Sequence, residues 1–438
     1  MTLHSRTGSA DATSPSRSRS RASLGAAVVT AVTLLLAACT STGSSGATPS
    51  AAVSIPAASG SGAPSGEPIK IGGTLGLTGI FSGPSAGYKA TFEYWAKQVN
   101  ASGGLLGRPV ELTIYDDEST PATAATLYQR LINQDKVDLL LAPYTTAVAS
   151  TVMPIAEQNK MVVWNGGFVN TPIIKKSDWL VTTYTHLPED YTRGIFDMIK
   201  AMPEAQRPTK VAIVTEQNPF SLAIKNGYQG EGGAVKLAEE NGLEVVLNEE
   251  YASNTTDFSS LIQRAKGANA DLLFGLAMSN SAPLVAKAVN DAGFKPKIYC
   301  SCASEVTSLE NWGDLGAAAN GVISMTTAWP TDKTPGIKEL FDALQQAQGY
   351  KQLPNYAAVG MAALEVMQQS VEGTGGLDQT KLRDFVNGHT FQTVEGSLTF
   401  TEDLVPNFSA EYLQWQTDQN QVIWPEERKT ADLVSPLP

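Results

Sequence analysis

The sequence predicts an α/β protein with two doubly wound, Rossmann-like lobes and a ligand cleft between them. Two observations support this prediction: strands alternate with helices along the chain, and the alternation begins a second time after residue 209. A β-α-β-α series forms a parallel sheet that is covered by helices on both faces. Two such series therefore predict two lobes, whose loops at the carboxyl ends of the strands line one cleft.

Each element of the two series is predicted from its hydrophobic spacing. The alternating segment 110–115 (VELTIY) is typical of a half-buried strand, and 137–142 (VDLLLA) is typical of a buried one. In the first series the predicted strands are 68–75, 110–115, 137–142 and 161–164, and the predicted helices are 84–101, 121–133 and 145–159. In the second series the predicted strands are 210–215, 243–249, 271–276 and 297–299, and the predicted helices are 221–240, 258–266 and 282–292.

The first 38 residues are predicted to be a secretory signal peptide. Residues 1–23 carry four arginines and one acid, and the apolar run 24–38 follows them. This run is shorter than the roughly 20 residues that span a bilayer, and it fits a signal-peptide core. It ends in Ala37-Ala38-Cys39, which resembles a bacterial lipobox, in which the cysteine is lipidated. A buried helix that ends in a chance cysteine is the alternative.

Residues 39–66 are predicted to be the lipidated cysteine and a flexible tether. This segment consists almost wholly of Ser, Gly, Ala, Pro and Thr. Such a chain cannot bury enough apolar surface to offset the entropy that ordering costs. We therefore expect a folded part outside the cytoplasm that is held at the cell membrane by its lipid.

The composition excludes several classes of protein. The chain has 31 basic and 43 acidic residues, a net charge of −12, which argues against a nucleic-acid partner. Its 3 cysteines and 3 histidines are too few for a disulfide framework or a multi-histidine metal site, and no cofactor is predicted. The chain has no His-Glu-x-x-His or Walker motif, so the sequence predicts a binding protein and not an enzyme.

Three loops at predicted strand ends carry candidate ligand-binding residues. They are 77–83 (LTGIFSG) with Phe81, then Tyr144-Thr145-Thr146, and 164–168 (WNGGF) with Trp164. Glycine-rich turns bring backbone N–H groups to an anion at a helix N-terminus. Each loop alone could simply cap its helix. Three such loops along one sheet edge favour a binding site.

Four stretches resemble the leucine/isoleucine/valine-binding family, the type I, cluster B solute-binding proteins of ABC importers. They are 69–79 (IKIGGTLGLTG), 99–107 (VNASGGLLG) followed by YDD at 115–117, 257–259 (DFS), and 395–400 (EGSLTF). The resemblance implies three crossings between the lobes, with lobe 1 at 67–187 and 326–404 and lobe 2 at 188–325 and 405–438. It also implies that the hinge closes around a small ligand and that the closed form docks on a membrane permease.

The resemblance also implies a set of ligand contacts. The hydroxyl of Thr146 would meet the carboxylate of the ligand, Gly167 and Phe168 would face it, and Phe220 would cover it. Further contacts are expected at Met278 and Tyr356, and Trp329 is added because it lies near a crossing. For each aromatic residue, ordinary core packing is the alternative.

One position departs from the family pattern. Amino-acid binders of this family place a glutamate where this chain has Cys302, and a cysteine is no counter-ion for an ammonium group. Either Glu305 replaces that glutamate, or the ligand has no α-amino group, since relatives bind amides, urea and aromatic acids. Cys300 and Cys302 are expected to be small, semi-buried thiols. A metal site or a strained disulfide at this pair are the alternatives.

The sequence thus predicts the solute-binding lipoprotein of an ABC importer, whose ligand is an amino acid or a related small amide or carboxylate. Its expected partners are this ligand, the permease and ATPase complex, and the membrane. A receptor subunit that signals to a membrane partner would use the same two lobes, so it remains an alternative. A surface lipoprotein hydrolase is the alternative from another class.

Overall fold

A computed structural model of the chain gives the fold that these patterns produce. It describes residues 63–184, 186–278, 280–303, 306–308, 311–327, 329, 334–350, 355–400, 406 and 411–438. The predicted signal peptide 1–38, Cys39, the tether as far as residue 62, and Glu305 lie outside the described residues.

The sheet of the first lobe is parallel throughout. Among the described residues its strands are ordered β2-β1-β3-β4-β5. They are β1 (Ile69–Leu75), β2 (Val110–Asp116), β3 (Leu139–Leu141), β4 (Val163–Asn165) and β5 (Leu180–Thr182). Because side chains alternate along a strand, Leu140 of β3 packs on one face of the sheet and its two leucine neighbours pack on the other.

The sheet of the second lobe combines a parallel core with an antiparallel edge. In the described part of the chain its order is β14-β13-β10-β9-β8-β6-β7, and β13 and β14 are the antiparallel strands. The strands are β6 (Lys210–Glu216), β7 (Glu244–Tyr251), β8 (Leu272–Leu276), β9 (Ile298–Cys300), β10 (Val322–Thr326), β13 (Glu411–Gln416) and β14 (Gln419–Trp424). A separate hairpin pairs β11 (Thr390–Thr393) with β12 (Gly396–Thr399).

Helices cover the sheets. They are α1 (Ser82–Ala101), α2 (Pro121–Arg130), α3 (Thr146–Gln158), α4 (Thr171–Ile174), α5 (Arg193–Ala201), α6 (Pro219–Asn226), α7 (Ala234–Glu240), α8 (Ser259–Gly267), α9 (Ala282–Asp291), α10 (Ile337–Gln348), α11 (Asn355–Thr374) and α12 (Gln379–Val386). One helix prediction is wrong: 221–240 is not continuous. It divides into α6 and α7 because Gly227 and Gly233 adopt positive φ values of 74° and 80°, which end one helix and precede the next.

The chain passes between the two lobes three times. It leaves the first sheet after β5, returns after β10 to helices α10–α12, and leaves again after β12 to complete the second sheet with β13 and β14. Buried residues of α10–α12, such as Leu340, Leu364 and Leu382, join the core that contains β1. The predicted two-lobed α/β fold is therefore confirmed. None of the described helices is both long enough and apolar enough to cross a membrane.

Candidate functional site

A cleft lies where the carboxyl ends of the strands of both lobes meet, as expected for open parallel sheets. Its inner part holds about 520 Å³ of space, which includes the opening to solvent. The inner part is lined by Tyr144, Thr145, Thr146, Gly167, Phe168, Val169, Tyr184, Tyr191, Phe220, Met278, Ala303 and Tyr356. None of these described residues carries a charged side chain, so the inner part suits the apolar portion of a ligand.

The outer part of the cleft is larger, at about 920 Å³, and its lining includes one acid and three asparagines. It shares Thr145, Thr146, Phe220 and Met278 with the inner part, so the two form one continuous space. Its other lining residues are Ile80, Phe81, Ala147, Glu216, Asn218, Pro219, Ser253, Asn254 and Asn280. The two threonines therefore lie where the inner, aromatic compartment opens into the outer compartment.

Asn165, the last residue of β4, holds the 166–168 loop in place. Its Oδ1 accepts hydrogen bonds from the N–H groups of Gly167 at 2.9 Å and Phe168 at 3.1 Å. Its Nδ2 donates to the carbonyl of Phe168 at 2.7 Å and to Thr182 Oγ1 at 3.0 Å. Because the amide of this fully buried side chain is satisfied on both ends, it fixes the turn that presents Gly167 and Phe168 to the cleft.

Gly167 lets two cleft loops approach each other closely. The N–H of Thr145 donates to the carbonyl of Gly167 at 3.1 Å. A Cβ atom on Gly167 would lie only 2.3 Å from the carbonyl oxygen of Pro143, a distance that no side chain tolerates. The contact between the two loops therefore requires a glycine at this position.

The N-terminus of α3 is the candidate anion-binding feature of the cleft. Helix α3 begins at Thr146, and the first N–H groups of a helix have no partner within it. Thr145 precedes the helix with φ 78°, an unusual value for a residue that is not glycine. Its hydroxyl is buried and has no hydrogen-bond partner among the described residues. A free hydroxyl and free amides at one helix end suit a carboxylate group.

Aromatic side chains of the first lobe form one wall. Tyr88 lies beneath this wall, with ring centroids 5.5 Å from Tyr144 and 5.3 Å from Tyr356. Phe81 extends the wall outward, with an edge-to-face contact of 5.6 Å to Tyr144. Such rings offer a large apolar surface and rigid geometry.

The opposite wall comes from the second lobe. Phe220 lies in the first turn of α6 and contacts Tyr191 edge to face at 5.3 Å. Met278 follows β8, and its N–H donates to Glu216 at 3.0 Å. The two walls belong to different lobes, so a change in the angle between the lobes would change the width of the cleft.

The structure brings most of the predicted site residues to this cleft. Those that line it are Phe81, Tyr144, Thr145, Thr146, Gly167, Phe168, Phe220, Met278 and Tyr356. Trp164, Cys302 and Trp329 do not line it. Trp164 is buried in the core of the first lobe, and Trp329 packs with Leu413 and Val422. The role of each lining residue as a ligand contact stays a prediction.

The expected thiol state of the cysteine pair is corrected by the structure. Cys300 and Cys302 are joined in a disulfide with a Cα–Cα distance of 5.2 Å, and both are fully buried and not semi-buried. The loop after β9 turns back sharply enough to bring the two side chains together. Within the described residues, no group of three or more His, Cys, Asp or Glu side chains could hold a metal ion.

Sequence reasoning missed several cleft residues. Tyr184, Tyr191 and Ala303 line the inner part, and Glu216 lines the outer part. Glu216 had a usable signal, since it is the last residue of β6 and strand ends face the cleft. Tyr184 and Tyr191 lie in the first crossing segment, whose path no local pattern reveals.

His186 lies in the same crossing segment. Burial lowers the pKa of this imidazole to about 4, and the charge of Asp190 only partly opposes that effect. The side chain is therefore neutral at neutral pH and contributes no positive charge near the cleft.

The chain is similar in sequence to known binding proteins. Residues 68–420 match the family model described as periplasmic binding protein. The leucine-, isoleucine-, valine-, threonine- and alanine-binding protein of Pseudomonas aeruginosa is 26% identical over 366 residues, 78% of this chain and 90% of that protein.

Two solved structures share the fold. The branched-chain amino acid transporter substrate-binding protein LivJ of Streptococcus pneumoniae, in complex with isoleucine, is 18% identical. Its TM-score is 0.69, and the match covers 84% of this chain and 100% of that one. An ABC-transporter solute-binding protein of R. palustris in complex with benzoate is also 18% identical, with a TM-score of 0.68 and the same coverage.

Proposed function

This chain belongs to the periplasmic binding protein family, and on that premise we propose that it is the solute-binding protein of an ABC importer. It captures an amino acid or a related small amide or carboxylate and delivers it to a membrane permease. Binding occurs by closure of the two lobes around the ligand, and the ligand leaves chemically unchanged.

The observation that carries this proposal is the pairing of an anion-binding helix end with an aromatic compartment. The free hydroxyl of Thr145 and the amides that begin α3 receive the carboxylate. The rings of Tyr356 and Phe220 face the apolar body of the ligand from opposite lobes. Relatives of this family bind isoleucine or benzoate, and both ligands combine a carboxylate with an apolar body.

The proposal includes the architecture expected from the sequence. Lobe 1 is 67–187 with 326–404, and lobe 2 is 188–325 with 405–438. The signal peptide 1–38 directs the chain out of the cytoplasm, and a lipid on Cys39 anchors it to the membrane through the 39–66 tether. The partners are the permease and ATPase of the importer.

Thermal unfolding of the purified protein against a panel of ligands tests the binding function. The panel contains branched and aromatic amino acids, amides, urea and aromatic acids. A ligand at 100 times its Kd adds about 2.7 kcal/mol to the free energy of unfolding, which raises the Tm measurably. Phe220→Ala, which removes a ring from the cleft wall, should reduce that shift at the same ligand concentration. A shift that persists unchanged in this variant would place the ligand elsewhere, and no shift with any compound would contradict the proposal.

Membrane attachment is tested separately. Cys39→Ser should release the protein from the membrane fraction into the extracytoplasmic fluid without changing its ligand affinity. A Cys39→Ser protein that stays with the membrane fraction would contradict the lipid anchor. An importer subunit is distinguished from a receptor by transport. The liganded protein should stimulate the permease and ATPase complex and cause net uptake of the ligand.

A further inference from the structure

Glu216 is a buried acid that faces the cleft from the second lobe. It ends β6, and only 3% of its surface is exposed. Its Oε2 accepts hydrogen bonds from the N–H of Met278 at 3.0 Å and from the hydroxyl of Ser281 at 2.5 Å. Both of these bonds end on one oxygen, so the other oxygen keeps its capacity to accept.

No cation of the described chain is paired with Glu216. Lys225, on the neighbouring helix α6, is instead paired with Glu250 at the end of β7. None of the ion pairs between described residues includes Glu216. Burying a carboxylate without a counter-charge is costly, so such a group is expected to gain a positive partner at some stage of its function.

The position of Glu216 relative to the α3 N-terminus suits a zwitterion. Glu216, Thr145 and Thr146 line the same outer compartment, and Met278, which donates to Glu216, also lines the inner one. Donors for a carboxylate on the first lobe thus face an acceptor for an ammonium group on the second lobe. Glu216 is the only acid among the described residues that line either part of the cleft.

The disulfide prevents Cys302 from serving as a partner for the ammonium group of a ligand. Cys302 stands where the resemblance expects an acid for the ligand ammonium, but its sulfur is bonded to Cys300 and fully buried. An ammonium group at that wall would meet no negative charge from Cys302. Among the described residues that line the cleft, the end of β6 supplies the one acid that could meet such a group.

We propose that Glu216 binds the α-ammonium group of the ligand, so that the ligand is an apolar α-amino acid. This inference rests on the proposed function and narrows its ligand class. The carboxylate of the amino acid lies at the N-terminus of α3, its ammonium group faces Glu216, and its side chain enters the aromatic compartment. Lobe closure then brings the two charged groups of the ligand to opposite walls.

A purely structural role makes a different prediction. Glu216 also accepts from Ser281, the residue that precedes α9, so it could serve only to hold the 277–281 loop. In that case its charge would not matter for the choice of ligand. Glu216→Gln keeps an acceptor for Met278 and Ser281 but removes the charge, and therefore separates the two roles.

The test measures the affinity of the purified protein for matched pairs of ligands by calorimetry. The pairs are leucine with 4-methylpentanoate and phenylalanine with 3-phenylpropanoate, which differ only by the amino group. The wild type should bind the amino acid of at least one pair tenfold or more tighter than its partner. Glu216→Gln should lose that preference, mainly by weaker binding of the amino acid, while its Tm stays within a few degrees of the wild type.

Ser281→Ala is the matched control. It breaks the same hydrogen-bond network without removing the charge, so it should lower the Tm and keep the preference for the amino acid. If the wild type binds the carboxylate of each pair as tightly as the amino acid, the proposed role of Glu216 is overturned. The proposed solute-binding function would still stand in that case. A preference that survives in Glu216→Gln would also overturn it. If no member of either pair binds, the ligand class inferred here is wrong, and the wider panel then decides the proposed function.

Discussion

The hydroxyl groups of the neighbouring residues Thr145 and Thr146 differ in their hydrogen bonding. Thr146 Oγ1 donates to the carbonyl of Val169 at 3.1 Å, whereas Thr145 Oγ1 is buried without a partner among the described residues. A carboxylate only accepts hydrogen bonds, and a hydroxyl has a single proton to donate. Thr145 is thus the residue of this pair whose hydroxyl can serve a carboxylate, while Thr146 offers its backbone N–H.

We therefore predict that Thr145→Ala weakens ligand binding by about 1–3 kcal/mol, because the ligand oxygen loses a buried hydrogen-bond donor. Calorimetry with the ligand found in the thermal screen measures this change. Thr145→Ser keeps the hydroxyl and should bind nearly as tightly as the wild type. Equal losses in both variants would show that the methyl group of Thr145, and not its hydroxyl, matters.

Thr146→Ala should act mainly on stability. It leaves the buried carbonyl of Val169 without its donor, a loss of about 1–3 kcal/mol in the free energy of unfolding. Denaturant unfolding in the absence of ligand measures it. A loss of affinity larger than that of Thr145→Ala, without a loss of stability, would restore the hydroxyl of Thr146 as the carboxylate donor.

Substitutions of two aromatic residues on opposite walls should separate effects on ligand binding from effects on core packing. Tyr356 lines the cleft and also packs on Tyr88, so Tyr356→Ala should lower both the affinity and the Tm. Phe220 is more exposed, so Phe220→Ala should lower the affinity with a smaller loss of Tm. Paired melting curves and titrations measure both effects. A Tyr356→Ala protein that loses stability but keeps its affinity would assign this ring to the core alone.

The disulfide makes a chemical prediction. Alkylation of the protein under denaturing, non-reducing conditions should leave Cys300 and Cys302 unlabelled, and reduction should make both reactive. Peptide mass spectrometry measures the labelling of each cysteine. Labelling without reductant would instead support the pair of thiols predicted from the sequence.

The double variant Cys300→Ser, Cys302→Ser should lose only a small part of the stability. A disulfide stabilises less as the loop it closes becomes shorter, and a 15-residue loop already gains only about 3 kcal/mol. The two cysteines here are 2 positions apart. Unfolding of the double variant should therefore show a modest loss, and failure to fold would show a larger role for this loop in shaping the cleft.

Two buried acids near the hairpin of β11 and β12 predict that the stability of the protein depends on pH. Burial raises the pKa of both Glu365 and Glu395 to about 8. The charge of Glu395 also raises the pKa of Glu365, whereas the hydroxyl of Thr327 and the charge of Arg428 lower that of Glu395 only in part. The folded state therefore holds more protons than the unfolded state between pH 4.5 and about 8. The free energy of unfolding should fall as the pH rises through this window.

Denaturant unfolding at several pH values measures this dependence. Glu395→Gln keeps an acceptor for the hydroxyl of Thr327 and cannot ionise, so it should show a weaker decline than the wild type. Glu339→Gln, on the exposed face of α10, is the control and should follow the wild type. An unchanged decline in Glu395→Gln would assign the pH dependence to other groups.

Much of the fold could be predicted because its causes are local. The apolar segment 137–142 contains β3, and the alternating segment 110–115 covers all but the last residue of β2, since periodicity reports which faces of a strand are covered. The loops that end at Thr146 and Phe168 were found for the same reason, because each follows a recognisable strand. Helix 221–240 was predicted as one element because its apolar spacing continues through Gly227 and Gly233, whose conformations divide it.

The sequence by itself thus determined the α/β alternation, the two-lobed fold and the loops that face the cleft. Only the tertiary structure decided which side chains enter that cleft. It placed Trp164 and Trp329 in cores, Cys302 in a disulfide, and Tyr191 and Glu216 at the cleft wall. It also decided that the hydroxyl of Thr146 donates to Val169 and that the hydroxyl of Thr145 has no partner among the described residues. The physical reason is that these outcomes depend on contacts between residues far apart in the chain, which no local periodicity encodes.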